Sequence, residues 1–258
     1  MADIDKKDPM LSVIIPARDE AASLSGAIPK IIDTLDREMI PFEILVVDDH
    51  SRDDTETVIA ALRARDKKVR RVANDYPQGY GFAVRCGLDA YKGDAAVIVM
   101  ADSSDEPADI VKYYRKLQEG YDCVFGTRFS KQSMLTGYPR HKLVLNRLGN
   151  RLIQLLFWLP YNDVTNAFKC YRRAAIDGIR PLVSCHFNLT VEIPLKAIVR
   201  GYSWCVVPTN WHGRNKGLSK WKIKELGSRY MFIILYVWFE KMLTSGDYKK
   251  GKYWLKEK

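Results

Sequence analysis

The chain has 258 residues, of which 47% are hydrophobic and 28% charged, a globular composition that excludes disorder, a collagen-like repeat and a disulfide knot as whole-chain readings. Lysine and arginine outnumber aspartate and glutamate by 41 to 31, a net charge of +10. The expected partner is therefore anionic: a nucleotide, a lipid phosphate, a membrane surface or a nucleic acid.

The N-terminal MADIDKKDPM has no apolar signal core, so no signal peptide is expected. LSVIIPA (11–17) reads as a buried parallel strand and is followed by a helix over 20–36 with apolar Leu24, Ile28, Ile31, Ile32 and Leu35. FEILVVDD (42–49) is a second strand ending in two carboxylates, and Asp53, Asp54 and Thr55 cap a helix running to about Arg65. VRRVAND (69–75), AAVIVMA (95–101) and YDCVFGTR (121–128) give three more strands. A loop and helix over 79–91 and a helix opened by Pro107 lie between them.

This alternation predicts an α/β fold: a mostly parallel sheet with helices on both faces. Ligands of such sheets bind beyond the carboxyl ends of the strands, and Arg18, Asp48, Asp49, Asp102, Asp105 and Arg128 all stand at or just after those ends.

The second half is less regular. Residues 139–158 are amphipathic, with Arg140, His141, Lys142, Arg147 and Arg151 among leucines. AFKCYRR (167–173) is a candidate strand, 187–200 a helix, YSWCVVPT (202–209) a late strand and 219–243 a long apolar helix. The longest apolar run, Tyr230 to Phe239, is about half of the roughly 20 residues a spanning helix needs.

Asp102 and Asp105 flank a turn after an apolar strand. They suit a divalent ion, Mg or Mn, whose ligands are hard oxygens, or a turn and N-cap before Pro107. Asp49 is a candidate reader of a base N–H, or the carboxylate of an Asx turn with Ser51. Gly79-Tyr80-Gly81 lacks the third glycine of a dinucleotide fingerprint and does not follow the first strand; a loop approaching phosphate or ribose is the weaker reading left. The cations of Arg214–Lys220 around Gly217 suit a diphosphate or form a solvated charge run. Trp204, Trp211 and Trp221 are sugar-stacking candidates or core and interface aromatics. The cysteines Cys86, Cys123, Cys170, Cys185 and Cys205 stand singly, as reduced core thiols do. No zinc finger, RNP-type aromatic pair or KH-type loop appears, so nucleic acid is not the expected partner.

Together these segments resemble family 2 glycosyltransferases of the GT-A (Rossmann-like) fold, closest to the polyprenyl-phosphate glycosyltransferases typified by dolichol-phosphate mannosyltransferase. The likeness spans about 11–222: VIIPARDE (13–20), ILVVDDHSRDDT (44–55), VIVMADSSDEP (97–107), DVTNAFKCYRR (163–173) and Arg214-x-x-Gly217-x-Ser219-Lys220, in order. The usual D-A-D is shifted, Asp105 falls where a glutamine ligand often stands, and Asn166-Ala167 and Lys169 replace Ser-Gly and Arg.

The resemblance implies an inverting enzyme that moves a sugar from a nucleotide-diphosphate donor, a GDP- or UDP-sugar, to a polyprenyl phosphate. It places Pro16, Ala17, Arg18, Glu20, Asp48, Asp49, Gly79 and Asp102 on the donor, with Arg214 and Lys220 on its diphosphate. Asp102 and Asp105 become the metal ligands, and Arg128, Arg140 and Ser219 hold the acceptor phosphate. Asp105, Arg128, Arg214 and Lys220 are the catalytic set, and Glu192 is either a sugar contact or a helix-surface salt bridge. The expected domain is 1–225, with an apolar amphipathic helix and basic tail over 226–258 that meets a membrane or a second copy of the chain. Residues 140–158 carry the composition of an interfacial helix, so a peripheral place on the cytoplasmic face of a membrane is expected. Two alternatives stand beside this reading: a transferase acting on a saccharide or protein hydroxyl, and an inactive sugar-nucleotide-binding protein.

Overall fold

A computed structural model describes residues 8–213 and 223–251. Four βα steps and a fifth strand occupy the first half: β1 (Leu11–Ala17), α1 (Ala21–Arg37), β2 (Phe42–Asp48), α2 (Thr55–Arg65), β3 (Val69–Ala73), α3 (Tyr80–Ala90), β4 (Ala95–Ile98), α4 (Pro107–Gln118) and β5 (Cys123–Thr127). Then come β6 (Leu135–Thr136), α5 (Arg140–Phe157), β7 (Lys169–Arg172), α6 (Arg173–Gly178), α7 (Leu189–Val199), β8 (Trp204–Pro208), β9 (Trp211–His212) and α8 (Ile223–Leu243).

The main sheet has seven strands in the order β3-β2-β1-β4-β7-β5-β8. All its pairs are parallel except those of β7, which runs antiparallel to both β4 and β5. The strand order reverses beside β1, where β2 lies on one side and β4 on the other. That switch point opens a crevice at the carboxyl ends.

Strand period explains the two apolar layers. Val13 and Ile15 of β1 face a layer with Ile28 and Ile31 of α1 and Ile110 of α4, while Ile14 faces the other way onto Val84 and Leu88 of α3. Ile153 of α5, Ile193 of α7 and Ile233 and Val237 of α8 join that second layer. The central strands, covered on both faces, therefore read as unbroken apolar runs.

Several boundaries differ from the sequence expectation. β4 stops at Ile98, because the next free N–H, that of Met100, turns to the Asp105 carboxylate at 3.1 Å instead of a strand. The cap of α2 is the Asp53 carboxylate, which accepts from Thr55 N at 3.0 Å, and not the Asp54 side chain. The short parallel pair β6–β9 and the helix α6 were not expected. α8 begins at Ile223, so the 225/226 boundary falls within its first turn. Among the described residues no helix is long and apolar enough to cross a membrane.

Candidate functional site

The loop after β1 is held from outside. Ser51 Oγ accepts from Asp19 N at 3.2 Å, Thr55 Oγ1 from Glu20 N at 3.0 Å and Asp53 Oδ2 from Ala21 N at 3.2 Å. In return, the Asp19 carboxylate accepts from Arg52 N at 2.8 Å. Three members of the V-D-D-x-S-x-D-x-T segment thus brace the Ala17–Glu20 turn. Pro16 and Ala17 end the buried strand, and the Arg18 guanidinium reaches the side-chain oxygen of Gln78 across the crevice.

The two strand-end carboxylates of β2 divide their work in a way local spacing does not reveal. Asp48, not Asp49, makes the Asx turn, accepting from Ser51 N at 3.1 Å; it also pairs with Arg71 at 2.8 Å. Burial alone would raise the Asp48 carboxyl, but the Ser51 and Arg71 bonds outweigh it and hold it below the usual range. Asp49 accepts from Asn74 Nδ2 at 2.7 Å and from Gly79 N at 3.1 Å. It thereby ties β2 to the loop that opens α3.

Gly79 and Gly81 do have close neighbours, but those neighbours are this chain's own backbone. A Cβ on Gly79 would stand 2.8 Å from Cys185 O, and one on Gly81 would stand 2.6 Å from His186 N. The glycines admit the 185–186 segment, which accounts for them without a phosphate or ribose. At Tyr80 between them, the ring stacks on Phe187 with centroids 4.1 Å apart and planes 8° apart. The Phe187 carbonyl is fixed by Thr190 Oγ1 at 2.7 Å and the Tyr230 hydroxyl at 3.1 Å. Burial and the charges of Asp105 and Asp102 push the Tyr80 phenol far up, so it stays protonated. The sequence hid this pair, since Tyr80 and Phe187 lie in different segments and only the tight glycines hinted at contact.

Asp102 and Asp105 form the turn expected after β4, although neither caps α4, whose N-cap is Glu106 with no side-chain cap. Asp102 Oδ1 accepts from Ser104 N at 3.1 Å across Ser103, whose φ of 58° is left-handed, and Asp105 Oδ2 accepts from Met100 N at 3.1 Å. Asp105 has no cationic side chain at salt-bridge distance among the described residues. Its burial, reinforced by the Asp102 charge, pushes its carboxyl up to about 7. A half-buried carboxylate beside another acidic oxygen fits a hard divalent ion, and diphosphate oxygens would complete the shell. No cluster of three or more His, Cys, Asp or Glu ligands occurs among the described residues.

The segment after β8 is sewn against this turn. His212 N donates to Ser104 O at 3.1 Å, and His212 Nε2 and Asn210 Nδ2 meet the Glu106 carboxylate at 2.9 and 3.0 Å. Arg214, Ser219, Lys220 and Trp221 lie outside the described residues. Trp204 lies at the core edge stacked on Phe125, while Trp211 meets Tyr138 edge-on.

Arg128 and Glu192 stand in settings that the sequence did not specify, and Arg140 is an open cation as expected. Arg128 is a clamp more than an open cation: its Nε and a terminal nitrogen donate to Asp163 at 2.9 and 2.7 Å, with side-chain exposures of 9% and 0%. Arg140 is exposed at the first turn of α5. Glu192 is neither a sugar contact nor a surface ion. It is fully buried and accepts from Val183 N at 2.8 Å, Ser184 N at 2.7 Å and Lys196 Nζ at 2.8 Å. Segment 181–184 wraps over the α7 face that would otherwise be open. Lys169, the replacement for Arg, is buried with its ammonium on the carbonyls of Val164, Asn166 and Thr190; burial lowers its pKa to about 7. All five cysteines are free.

With this geometry in view, known proteins supply the family. Residues 12–180 match the family model for Glycosyl transferase family 2. An undecaprenyl-phosphate 4-deoxy-4-formamido-L-arabinose transferase of Shewanella sediminis is 27% identical over 84% of this chain and 63% of its own length. Glycosyltransferase AglD of Haloferax volcanii is 26% identical over 78% of this chain but only 33% of its own. The polyprenol monophosphomannose synthase of Mycolicibacterium smegmatis is 27% identical, over 81% and 79%. The chain thus spans under two thirds of two of these relatives. Among solved structures, glucosyl-3-phosphoglycerate synthase of Mycobacterium tuberculosis with Mn2+, UDP and glucosyl-3-phosphoglycerate has a TM-score of 0.65 at 17% identity, covering 90% of this chain and 80% of that one. The same enzyme with phosphoglyceric acid gives 0.67, a likeness of fold. With the switch-point crevice, the acidic turn after β4 and a family match over most of the sheet, the chain belongs to glycosyl transferase family 2 and carries its GT-A fold.

Proposed function

We propose that the protein transfers a sugar from a nucleotide-diphosphate sugar to a polyprenyl phosphate, with inversion at the anomeric carbon. The observation that carries this is the Asp102–Asp105 turn at the carboxyl end of β4, beside the β1–β4 switch point. The curated relatives whose names specify polyprenol or undecaprenyl phosphate support the acceptor class.

An acceptor phosphate oxygen attacks the anomeric carbon from the face opposite the leaving group. The new C–O bond forms as the bond to the donor's β-phosphate oxygen breaks, and the nucleoside diphosphate departs with the electron pair. A phosphate monoester has its second pKa at about 6 and is largely dianionic at neutral pH, so no protein base is required. A hydroxyl acceptor would need one, and Glu192, which matched an acidic position of the family, is consumed by Lys196 and two backbone N–H groups. A divalent ion on Asp102 and Asp105 would supply positive charge to the departing diphosphate. Asp49 and Asn74 shape the nucleotide end of the crevice in this scheme, and burial with the Asp105 and Asp102 charges keeps the Tyr80 phenol protonated. Arg214 and Lys220 take the diphosphate and Arg128, Arg140 and Ser219 the acceptor phosphate in this scheme.

The lipid explains the outer face of α5. Val144, Leu145, Leu148, Leu152 and Leu155 are exposed, Leu148 by 62%, and Trp158 at the helix end by 89%. Arg140, His141, Arg147 and Arg151 flank them. That is the make-up of a helix lying in an anionic interface. Phe232, Phe239 and Met242 expose a second apolar face on α8. The protein is read as peripheral on that surface.

The test is turnover with a panel of GDP- and UDP-sugars and a short polyprenyl phosphate, with Mg, Mn or EDTA. Metal-dependent labelled lipid is expected. Nucleotide binding with no lipid product under any condition overturns the acceptor and favours a hydroxyl acceptor or a binding protein. In flotation, the protein should rise with anionic liposomes; remaining at the bottom refutes the interfacial reading.

A further inference from the structure

The acceptor site needs more positive charge than Arg128 supplies. Arg128 is neutralised by Asp163 in a buried two-point pair, so the two together present no net charge to an incoming phosphate. The acceptor phosphate carries about two negative charges at pH 7 and approaches a donor diphosphate that is also anionic. Arg140, the other arginine of the acceptor scheme, stands at the first residue of α5, so a cation nearer the pair would add the missing charge.

Arg147 is that cation. Its guanidinium lies over the Phe129 ring at 4.8 Å, and the guanidinium of Arg128 lies over the same ring at 5.4 Å. One aromatic side chain therefore brings the two arginines together. Arg147 is exposed and has no carboxylate at salt-bridge distance among the described residues. The sequence makes this deliberate: residues 129–162 contain Lys131, Arg140, Lys142, Arg147 and Arg151 and not one Asp or Glu. The next carboxylate, Asp163, is the one spent on Arg128.

The position of Arg147 is also fixed. Its neighbour Asn146 donates to Thr165 Oγ1 at 3.0 Å, and Asn150 donates to the same hydroxyl at 3.0 Å and accepts from Thr165 N at 3.3 Å. These bonds dock α5 onto the loop that carries Asp163. Arg140 lies two turns earlier on the same helix, about 10 Å along its axis, at the end remote from this docking. Beside Arg147, Val144 and Leu148 begin the exposed apolar stripe, where a hydrocarbon tail attached to the phosphate would run.

We propose that Arg147 is the principal charge-bearing ligand of the acceptor's phosphate monoester, with the neutral Arg128–Asp163 pair serving as its positioning wall. This rests on the phosphate-acceptor reading above. Planar two-point contact with phosphate is what a guanidinium gives and an ammonium does not.

The experiment compares Arg147→Gln, Arg147→Lys and Lys131→Gln, the last removing one charge from the same segment. Each is assayed in two arms with the donor that the wild type uses: polyprenyl phosphate in phosphatidylcholine vesicles, and soluble 3-phosphoglycerate. Arg147→Gln should raise the acceptor KM by about 10-fold or more, the loss of a charge-assisted contact, with the donor KM within about 2-fold. Arg147→Lys should recover part of this, and Lys131→Gln should match wild type. The loss appearing in the lipid arm identifies a headgroup; appearing in the soluble arm it identifies a free phosphate. Arg147→Gln matching Lys131→Gln in the productive arm overturns the inference while leaving the reaction intact. A wild type that makes no product in either arm overturns the acceptor reading, and this assignment with it.

Discussion

Glu192 offers the sharpest test of the structure against the sequence. Replacing it by Gln keeps the shape but removes the charge, leaving Lys196 fully buried with Pro181 O at 2.6 Å as its remaining strong partner. The two N–H groups of Val183 and Ser184 would also exchange a carboxylate for a neutral amide. Stranding one member of a buried ion pair costs about 3–5 kcal/mol. In a domain of this size that lowers Tm by about 10 °C. The double variant Glu192→Gln, Lys196→Met removes the stranded charge and should recover more than half of the loss. Urea or thermal unfolding of the four members of the cycle measures the coupling. Turnover per folded molecule should stay within about 2-fold of wild type, since the carboxylate meets no substrate. If Glu192→Gln unfolds within about 1 kcal/mol of wild type while kcat/KM collapses, the carboxylate faces the sugar and the buried latch is wrong.

Other expectations follow from single contacts. Asp105→Asn should reduce metal-dependent turnover by at least about 100-fold with unfolding little changed, and calorimetric Mn binding should be lost; undiminished binding would move the ion elsewhere. Gly81→Ala puts a Cβ 2.6 Å from His186 N and should cost about 1–3 kcal/mol. Gly26→Ala, inside α1 with nothing within 4 Å, should instead stabilise by about 0.5–1 kcal/mol, and equal effects in urea unfolding would contradict both. Glu43 is buried, and the bonds from Ser12, Lys92 N and Arg70 overcome the rise that burial causes, so its carboxyl sits below the usual range. A lowered acid pKa stabilises above the unfolded value of about 4 and loses that contribution as pH falls through the folded value. Glu43→Gln should therefore flatten the stability profile below pH about 4; an unchanged slope there would refute the linkage.

The parallel strands were legible because each is covered on both faces, and an apolar run such as Ile44 to Val47 has no other use. β7 was readable only as a candidate, since four residues carry no signal of direction. β6 and β9 were not readable at all: two residues pair because His212 and Asn210 are held on Glu106, far away in the chain. The same limit applied at the site. Which of Asp48 and Asp49 turns on Ser51 was decided by Arg71, Asn74 and Gly79, beyond any local window. Glu192 and Lys196 look like an exposed helical pair by spacing, and only the wrap of 181–184 buries them. The acidic turn after β4 was legible because its hydrogen bonds join near neighbours, Ser104 to Asp102 and Met100 to Asp105.

The bracing of the β1 loop by Ser51, Asp53 and Thr55 changes how loss of nucleotide affinity would be interpreted. A Thr55 variant with weakened binding would not thereby identify a ligand contact. It would have transferred the cost of ordering Arg18–Glu20 from the folding of the chain to the arrival of the ligand. Such a variant binds more weakly yet reaches the same bound state. Its deficit is a population term, recoverable by any change that restores the loop.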